Sequence, residues 1–184
     1  MRVGSATDGR VPISFAERSL SARPFHWIAL AAIAASAIVA DQLTKQIVVG
    51  QLAYGESVHV AGPLDLHYVR NSGIAFGLFS TWASVVTILT VLAVAWMLSF
   101  FAKTGARHPV LPVALGLLVG GSAGNLIDRI RLGHVTDFLD LGFWPAFNLA
   151  DTFIVTGVAI LLATLLRAER EPRFRRARVP RTSG

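Results

Sequence analysis

Residues 120–151 read GGSAGNLIDRIRLGHVTDFLDLGFWPAFNLAD, which sets four aspartates, Asp128, Asp137, Asp140 and Asp151, between two strongly apolar segments at 110–127 and 147–166. A carboxylate at the edge of hydrocarbon is costly unless it is paired, solvated or protonated. The stretch therefore predicts a membrane protein whose acids have work to do. Our reading takes Asp137 and Asp151 as an acid/base pair acting on a membrane-embedded substrate.

Composition supports the membrane class. Of 184 residues, 53% are hydrophobic and only 15% charged, and the mean hydropathy is +0.57, too apolar for a soluble domain of this size. The chain has no cysteine, which excludes a disulfide framework, a thiolate nucleophile and Cys-ligated metal. No cofactor and no metal are expected.

Hydropathy divides the chain into a polar leader at 1–24, a four-span domain at 25–167 and a basic tail at 168–184. The expected spans are about 25–43, 82–101, 110–128 and 149–166, each long enough to cross at helical rise. The first run follows arginines, and Ala35-Ser36-Ala37 resembles a signal-peptide cleavage site. It continues past that point, broken only by Asp41 and Lys45, and further spans follow, so it reads as retained. Between 51 and 75 the pattern changes to short β-prone pieces punctuated by glycine and proline. Open sheet edges are excluded from hydrocarbon, so this piece is expected outside the membrane. His59 and His67 sit there without metal-ligand spacing and read as surface residues.

Charge sets the orientation. The leader, the Lys103/Arg107 turn and the residues from Arg167 to Arg181 hold thirteen of the seventeen Lys and Arg side chains. That bias places both termini and the 103–107 turn in the cytoplasm, with 44–80 and 129–148 on the other side. Seven of the eleven acids then face outward. The basic tail suits anionic inner-leaflet lipid; nucleic acid is not expected as a partner.

Motifs narrow the chemistry. Gly120-Gly-Ser-Ala-Gly124 satisfies the G-x-S-x-G pattern of serine hydrolases, but that pattern needs a strand-to-helix turn, and here it falls mid-helix. A serine nucleophile at Ser122 with His134 as base is therefore a weak alternative. Asp41-Gln-Leu-Thr-Lys45 spaces an acid and a base four apart on one helical face, which reads as a structural ion pair. Asn71-Ser-Gly-Ile-Ala-Phe76 carries glycine for a turn or close approach. Asn125-Leu-Ile-Asp128 and Asn148-Leu-Ala-Asp151 echo each other, each pairing an amide with a carboxylate at i and i+3, where the amide can orient its neighbouring acid.

Four acids compete for two places. Asp128 is followed by Arg129, which reads as its counter-ion, and Asp140 falls in a polar turn that reads as solvated. Asp137 is flanked by Val135, Thr136, Phe138 and Leu139, an apolar setting. Asp151 opens the last span, favoured by the helix N-terminal field and opposed by desolvation. The residues rank Asp137/Asp151 first and leave Asp128/Asp151 as the second choice. A pair of acids can divide the labour, one activating water and the other donating a proton, as in aspartic proteases.

Five ordered blocks, Asp41-Gln-Leu-Thr-Lys45, Asn71-Ser-Gly-Ile-Ala-Phe76, Gly124-Asn-Leu-Ile-Asp-Arg129, Gly133-His-Val-Thr-Asp-Phe138 and Pro145-Ala-Phe-Asn-Leu-Ala-Asp151, resemble the bacterial lipoprotein signal peptidases, the type II signal peptidases. The resemblance covers residues 27–166. It implies a membrane all-α fold, a four-transmembrane-helix bundle with a small periplasmic β-sheet between helices 1 and 2. It also implies an aspartyl endopeptidase of the inner membrane that cuts prolipoproteins before a diacylglyceryl-modified cysteine. Carried onto this chain, the catalytic dyad falls on Asp137 and Asp151. Supporting or substrate-binding positions fall on Asp41, Lys45, Asn71, Gly73, Asn125, Asp128, Arg129, Asn148 and Ala150. Globomycin-type cyclic peptides are expected inhibitors by the same resemblance. Ile74 stands where the family usually has alanine and Thr136 where a second valine is common. The alternative from another class is a nonenzymatic carrier or assembly factor that uses the acids as a proton relay. Carriers usually show inverted repeats and a midplane site, whereas these acids cluster at one surface.

Overall fold

The structure, a computed structural model, describes residues 24–72, 82–104 and 109–176. The leader through residue 23, Gly73 and Ile74, and the tail beyond 176 lie outside the described residues. In chain order the elements are α1 (Pro24–Gln51), β1 (Ser57–Ala61), β2 (Leu64–Asn71), α2 (Trp82–Thr104), α3 (Leu111–Leu132), β3 (Val135–Asp140) and α4 (Leu149–Arg176).

Local chemistry sets the limits of α3. Pro112 sits in its first turn, where a missing N–H removes no helical bond. Gly133 ends it in the left-handed region at φ 76°, its N–H donating to the Arg129 carbonyl at 3.1 Å. α1 runs unbroken through Asp41 and Lys45 to Gln51. Residues 44–51, expected beyond the first span, therefore extend the same helix.

α3 is the centre of the molecule and packs against α1, α2 and α4. It can do so because of its small residues. A Cβ on Gly120 would stand 2.7 Å from the Ala34 carbonyl oxygen of α1. One on Gly121 would run into the Ala150 carbonyl of α4, and one on Gly124 would stand 2.6 Å from the Asp41 carboxylate. With little hydrophobic drive between helices in lipid, such close approach is what holds them together. Leu30, Ala34, Met97, Phe101, Leu115, Leu118 and Val119 form the main apolar core. Trp27 meets Phe101 edge to face at 4.9 Å. Outside this core the helices present large apolar side chains, among them Ile28, Ile47, Leu89, Trp96 and Val155. α1 and α3 are long and apolar enough to cross a membrane, and α2 and α4 contain apolar stretches at Thr87–Lys103 and Leu149–Thr164.

The sheet differs from the sequence reading in one respect. β1 and β2 form the expected hairpin between α1 and α2, but a third strand, β3, comes from the α3–α4 connection and pairs antiparallel with β2. Val135 through Phe138 are all buried, so β3 lacks the in/out alternation that announces a strand, and its partner lies far off in sequence. The register sets Val69 opposite Asp137 and Asn71 opposite Val135. Val48, Tyr68 and Phe138 form a second apolar cluster that ties the sheet to the end of α1.

Candidate active site

β3 and the first turn of α4 bring Asp137 and Asp151 to one polar cluster. Asp137 is 1% exposed. Its two oxygens accept separate amides, Oδ2 from Asn71 Nδ2 at 2.8 Å and Oδ1 from Asn148 Nδ2 at 2.7 Å. Asp151 is half-buried. Its Oδ1 accepts from Asn125 Nδ2 at 2.8 Å.

Asn148 connects the two acids. Its Oδ1 accepts the Asp151 N–H at 2.9 Å, while its own N–H donates to Asp151 Oδ2 at 3.3 Å. This reciprocal pair is a capping box that starts α4. The same side chain donates both amide hydrogens, one to Asp137 and one to Asn125 Oδ1 at 3.0 Å. The amide–acid echo read from the sequence thus works partly across elements. Asn148 serves its own Asp151 through the cap and Asp137 through the amide, whereas Asn125 bypasses Asp128 and reaches Asp151.

Behind this cluster lies a buried ionic group. Lys45 Nζ is 2.8 Å from Asp41 Oδ2, 3.0 Å from Asp128 Oδ2 and 3.0 Å from Asn125 Oδ1. The two carboxylates are completed by backbone donors, Ala150 N–H to Asp41 Oδ1 and Thr136 N–H to Asp128 Oδ2, each at 3.0 Å. Breaking such a pair by removing one partner costs about 3–5 kcal/mol, because a charge is left buried alone. The group joins α1, α3, β3 and α4, which fixes the backbone on both sides of the two aspartates. The cation paired with Asp128 is Lys45, not the adjacent Arg129 that the sequence suggests. Adjacent residues on a helix point in different directions, and helical spacing carries no sign of the long-range alternative. Arg129 is half-buried and acts electrostatically on Asp151, Asp137 and Asp128.

Burial pushes the Asp137 carboxyl up to about 6, helped by the charge of Asp151 and opposed by the amides of Asn71 and Asn148. Asp140 is accessible to solvent, as expected, and is also partnered. It is half-buried, accepts from Gly142 N–H at 2.8 Å and pairs with His67 Nδ1 at 3.0 Å. The Gly142 N–H and then His67 hold its carboxyl below the usual range. Ser122 lies in the interior of α3 rather than on a strand-to-helix turn. Gly73 lies outside the described residues. Among the described residues no three His, Asp or Glu side chains are grouped to hold a metal ion.

Gln42 escaped the sequence reading. Its Nε2 donates to Asp128 Oδ1 at 2.9 Å and to the Gly124 carbonyl at 3.2 Å. A glutamine beside an Asp-x-x-x-Lys pair carries no signal of its own.

Residues 33–167 match the family described as signal peptidase (SPase) II. A lipoprotein signal peptidase of Pelotomaculum thermopropionicum is 45% identical over 135 residues, covering 73% of this chain and 89% of that protein. Its counterpart in Moorella thermoacetica is 43% identical, with 78% and 93% covered. A solved bacterial membrane enzyme is similar at a TM-score of 0.72 and 30% identity, with 82% of this chain and 93% of that one superposed. The match spans the ionic group, both aspartates and the amides between them, and the chain belongs to the signal peptidase II family.

Proposed function

We propose that Asp137 and Asp151 are the catalytic dyad of a peptidase that removes signal peptides from prolipoproteins, cutting before the diacylglyceryl-modified cysteine. The observation that carries this reading is Asn148, whose side-chain amide donates to the Asp137 carboxylate at 2.7 Å and accepts the Asp151 backbone N–H at 2.9 Å. It ties the Asp137 carboxylate to the backbone of Asp151 through one amide.

The chemistry follows from that arrangement. One carboxylate takes a proton from water as the oxygen attacks the scissile carbonyl. The other, protonated, polarises that carbonyl and later gives its proton to the leaving amine. Asp137 suits the proton-holding part, because burial raises its carboxyl to about 6. Asn125 and the α4 cap hold Asp151 in place for the water. No covalent intermediate is formed.

Substrate and setting follow the same reading. The acyl chains of the modified cysteine already reside in the bilayer, so they anchor the cleavage point at headgroup depth. Four spans, both termini in the cytoplasm and the dyad on the periplasmic side of the inner membrane agree with the charge bias of the sequence. Globomycin-type cyclic peptides would compete for this site. Purified protein given a diacylglyceryl precursor beside its unlipidated peptide tests the reading. Release of signal peptide from the lipidated form alone is expected; proton uptake by proteoliposomes with no cleavage overturns it in favour of a carrier.

A further inference from the structure

Gln42 follows Asp41 on α1, and the buried ionic group behind the two aspartates closes on its side chain. Its Nε2 is 2.9 Å from Asp128 Oδ1, 3.2 Å from the Gly124 carbonyl oxygen and 3.3 Å from Asp41 Oδ2. All three neighbours are acceptors, so only the amide nitrogen fits there. The flipped side chain would set its oxygen against three others. The remaining donors of the group are committed elsewhere. Lys45 and the Thr136 N–H serve Asp128 Oδ2, while Lys45 and the Ala150 N–H serve the two oxygens of Asp41. Among the described residues the hydrogen bond to Asp128 Oδ1 comes from Gln42 alone. Two carboxylates face one ammonium here, and Asp128 is 4% exposed. A buried carboxylate oxygen stripped of its donor loses more than the bond itself contributes.

Two short routes lead from this group to the dyad. Thr136, held at its N–H by Asp128, adjoins Asp137 on β3. Lys45 donates to Asn125 Oδ1, and Asn125 Nδ2 donates to Asp151 Oδ1. Gln42 itself reaches neither aspartate. With Gln46 and Arg131 it lines a cleft between α1 and α3 that contains neither of them.

We propose that Gln42 is a positioning residue of the cleavage reaction, an inference that rests on the peptidase reading. Its amide fixes the Asp128 carboxylate, which sets β3 beside Asp137 through Thr136 and sets Asp151 through Lys45 and Asn125. A misplaced reacting group slows the chemical step, and Gln42 lies away from the dyad, so the effect belongs to kcat rather than KM. Side-chain choice separates this role from simple packing. Alanine would open the group to the cleft, where water can take over from the amide. Methionine is about as long as glutamine and has no donor. Glutamate keeps the shape and donates only when protonated. The ionisable groups around residue 42 are Asp41 and Lys45 of α1 and Asp128 and Arg131 of α3. Asp137 of β3 and Asp151 of α4 lie behind Thr136 and Asn125. Two carboxylates in direct contact favour a protonated glutamate as pH falls.

Turnover of a diacylglyceryl precursor by the purified full chain, with the folded fraction verified by thermal unfolding, tests this. Gln42→Met should lower kcat about tenfold and leave KM unchanged. For Gln42→Glu, kcat relative to the unsubstituted protein should rise about tenfold between about pH 8 and about pH 5.5. Gln46→Met, one turn on and lining the same cleft, should change neither constant. Full kcat in the folded methionine variant, a loss confined to KM, or a glutamate ratio that does not vary with pH overturns the proposal. Should the methionine variant fail to fold, the pH dependence of the glutamate ratio decides alone. Absence of cleavage by the unsubstituted protein would sink the peptidase reading itself, whereas cleavage indifferent to residue 42 overturns only this inference.

Discussion

Asn148 uses one side chain for two purposes, starting α4 and orienting the Asp137 carboxylate, and substitution can separate them. Serine retains a capping oxygen but has no amide for Asp137, whereas alanine has neither. Asn148→Ser and Asn148→Ala should both lose most cleavage, with the alanine variant less stable by a further ~1 kcal/mol in thermal unfolding. Equal stability of the two would refute the cap. Asp137 makes a pH-dependent contribution of the opposite sign to a salt-bridged acid. Its folded value of about 6 lies above the ordinary 3.8, so the folded state holds the proton more tightly. That contribution is fully present below about pH 4 and is lost as pH rises through about 6. It amounts to at most about 3 kcal/mol. The melting temperature of the purified protein should fall across that window, and Asp137→Asn should remove this part of the slope.

At the scale of elements, the site depends on how closely α3 approaches its neighbours. Gly121 faces the Ala150 carbonyl, one residue from Asp151, with Ile154 also in its way. Gly121→Val should push α4 off α3 and separate Asn125 from Asp151. Overpacking of this kind costs about 1–3 kcal/mol. We expect reduced folded yield and loss of cleavage even in the folded fraction, measured by size exclusion and turnover. Full activity with normal yield would show that the contact tolerates a side chain. What the sequence revealed here was uneven, for physical reasons. The Asp41/Lys45 pair was legible because helical spacing fixes which residues meet. Asp128 completes the same group through a tertiary contact, and its adjacent arginine was a false lead. β3 was hidden because it is buried on both faces, and the role of Asn125 because its partner lies 26 residues away.

For the whole molecule, composition and charge bias carried most of the reading, since a chain that is 53% hydrophobic has few ways to fold outside a bilayer. The absence of cysteine allows a direct test of topology with single introduced thiols. In intact spheroplasts a membrane-impermeant maleimide should label Glu56→Cys, next to β1, and spare Lys103→Cys, at the end of α2. Labelling of both or the reverse pattern would contradict the proposed orientation. Apolar runs of helical length marked the four described helices, and the five motif blocks pointed to the family. Neither could reveal that a single amide would join the Asp137 carboxylate to the first turn of α4, because that depends on β3 and α4 meeting over α3.

The central claim is that Asp137 and Asp151 cleave the bond together. Its most direct measurement is turnover of a diacylglyceryl precursor by purified Asp137→Asn and Asp151→Asn proteins whose folding has been verified by thermal unfolding. The account predicts that each loses cleavage to the background rate while remaining folded. Robust turnover by either folded variant would contradict it.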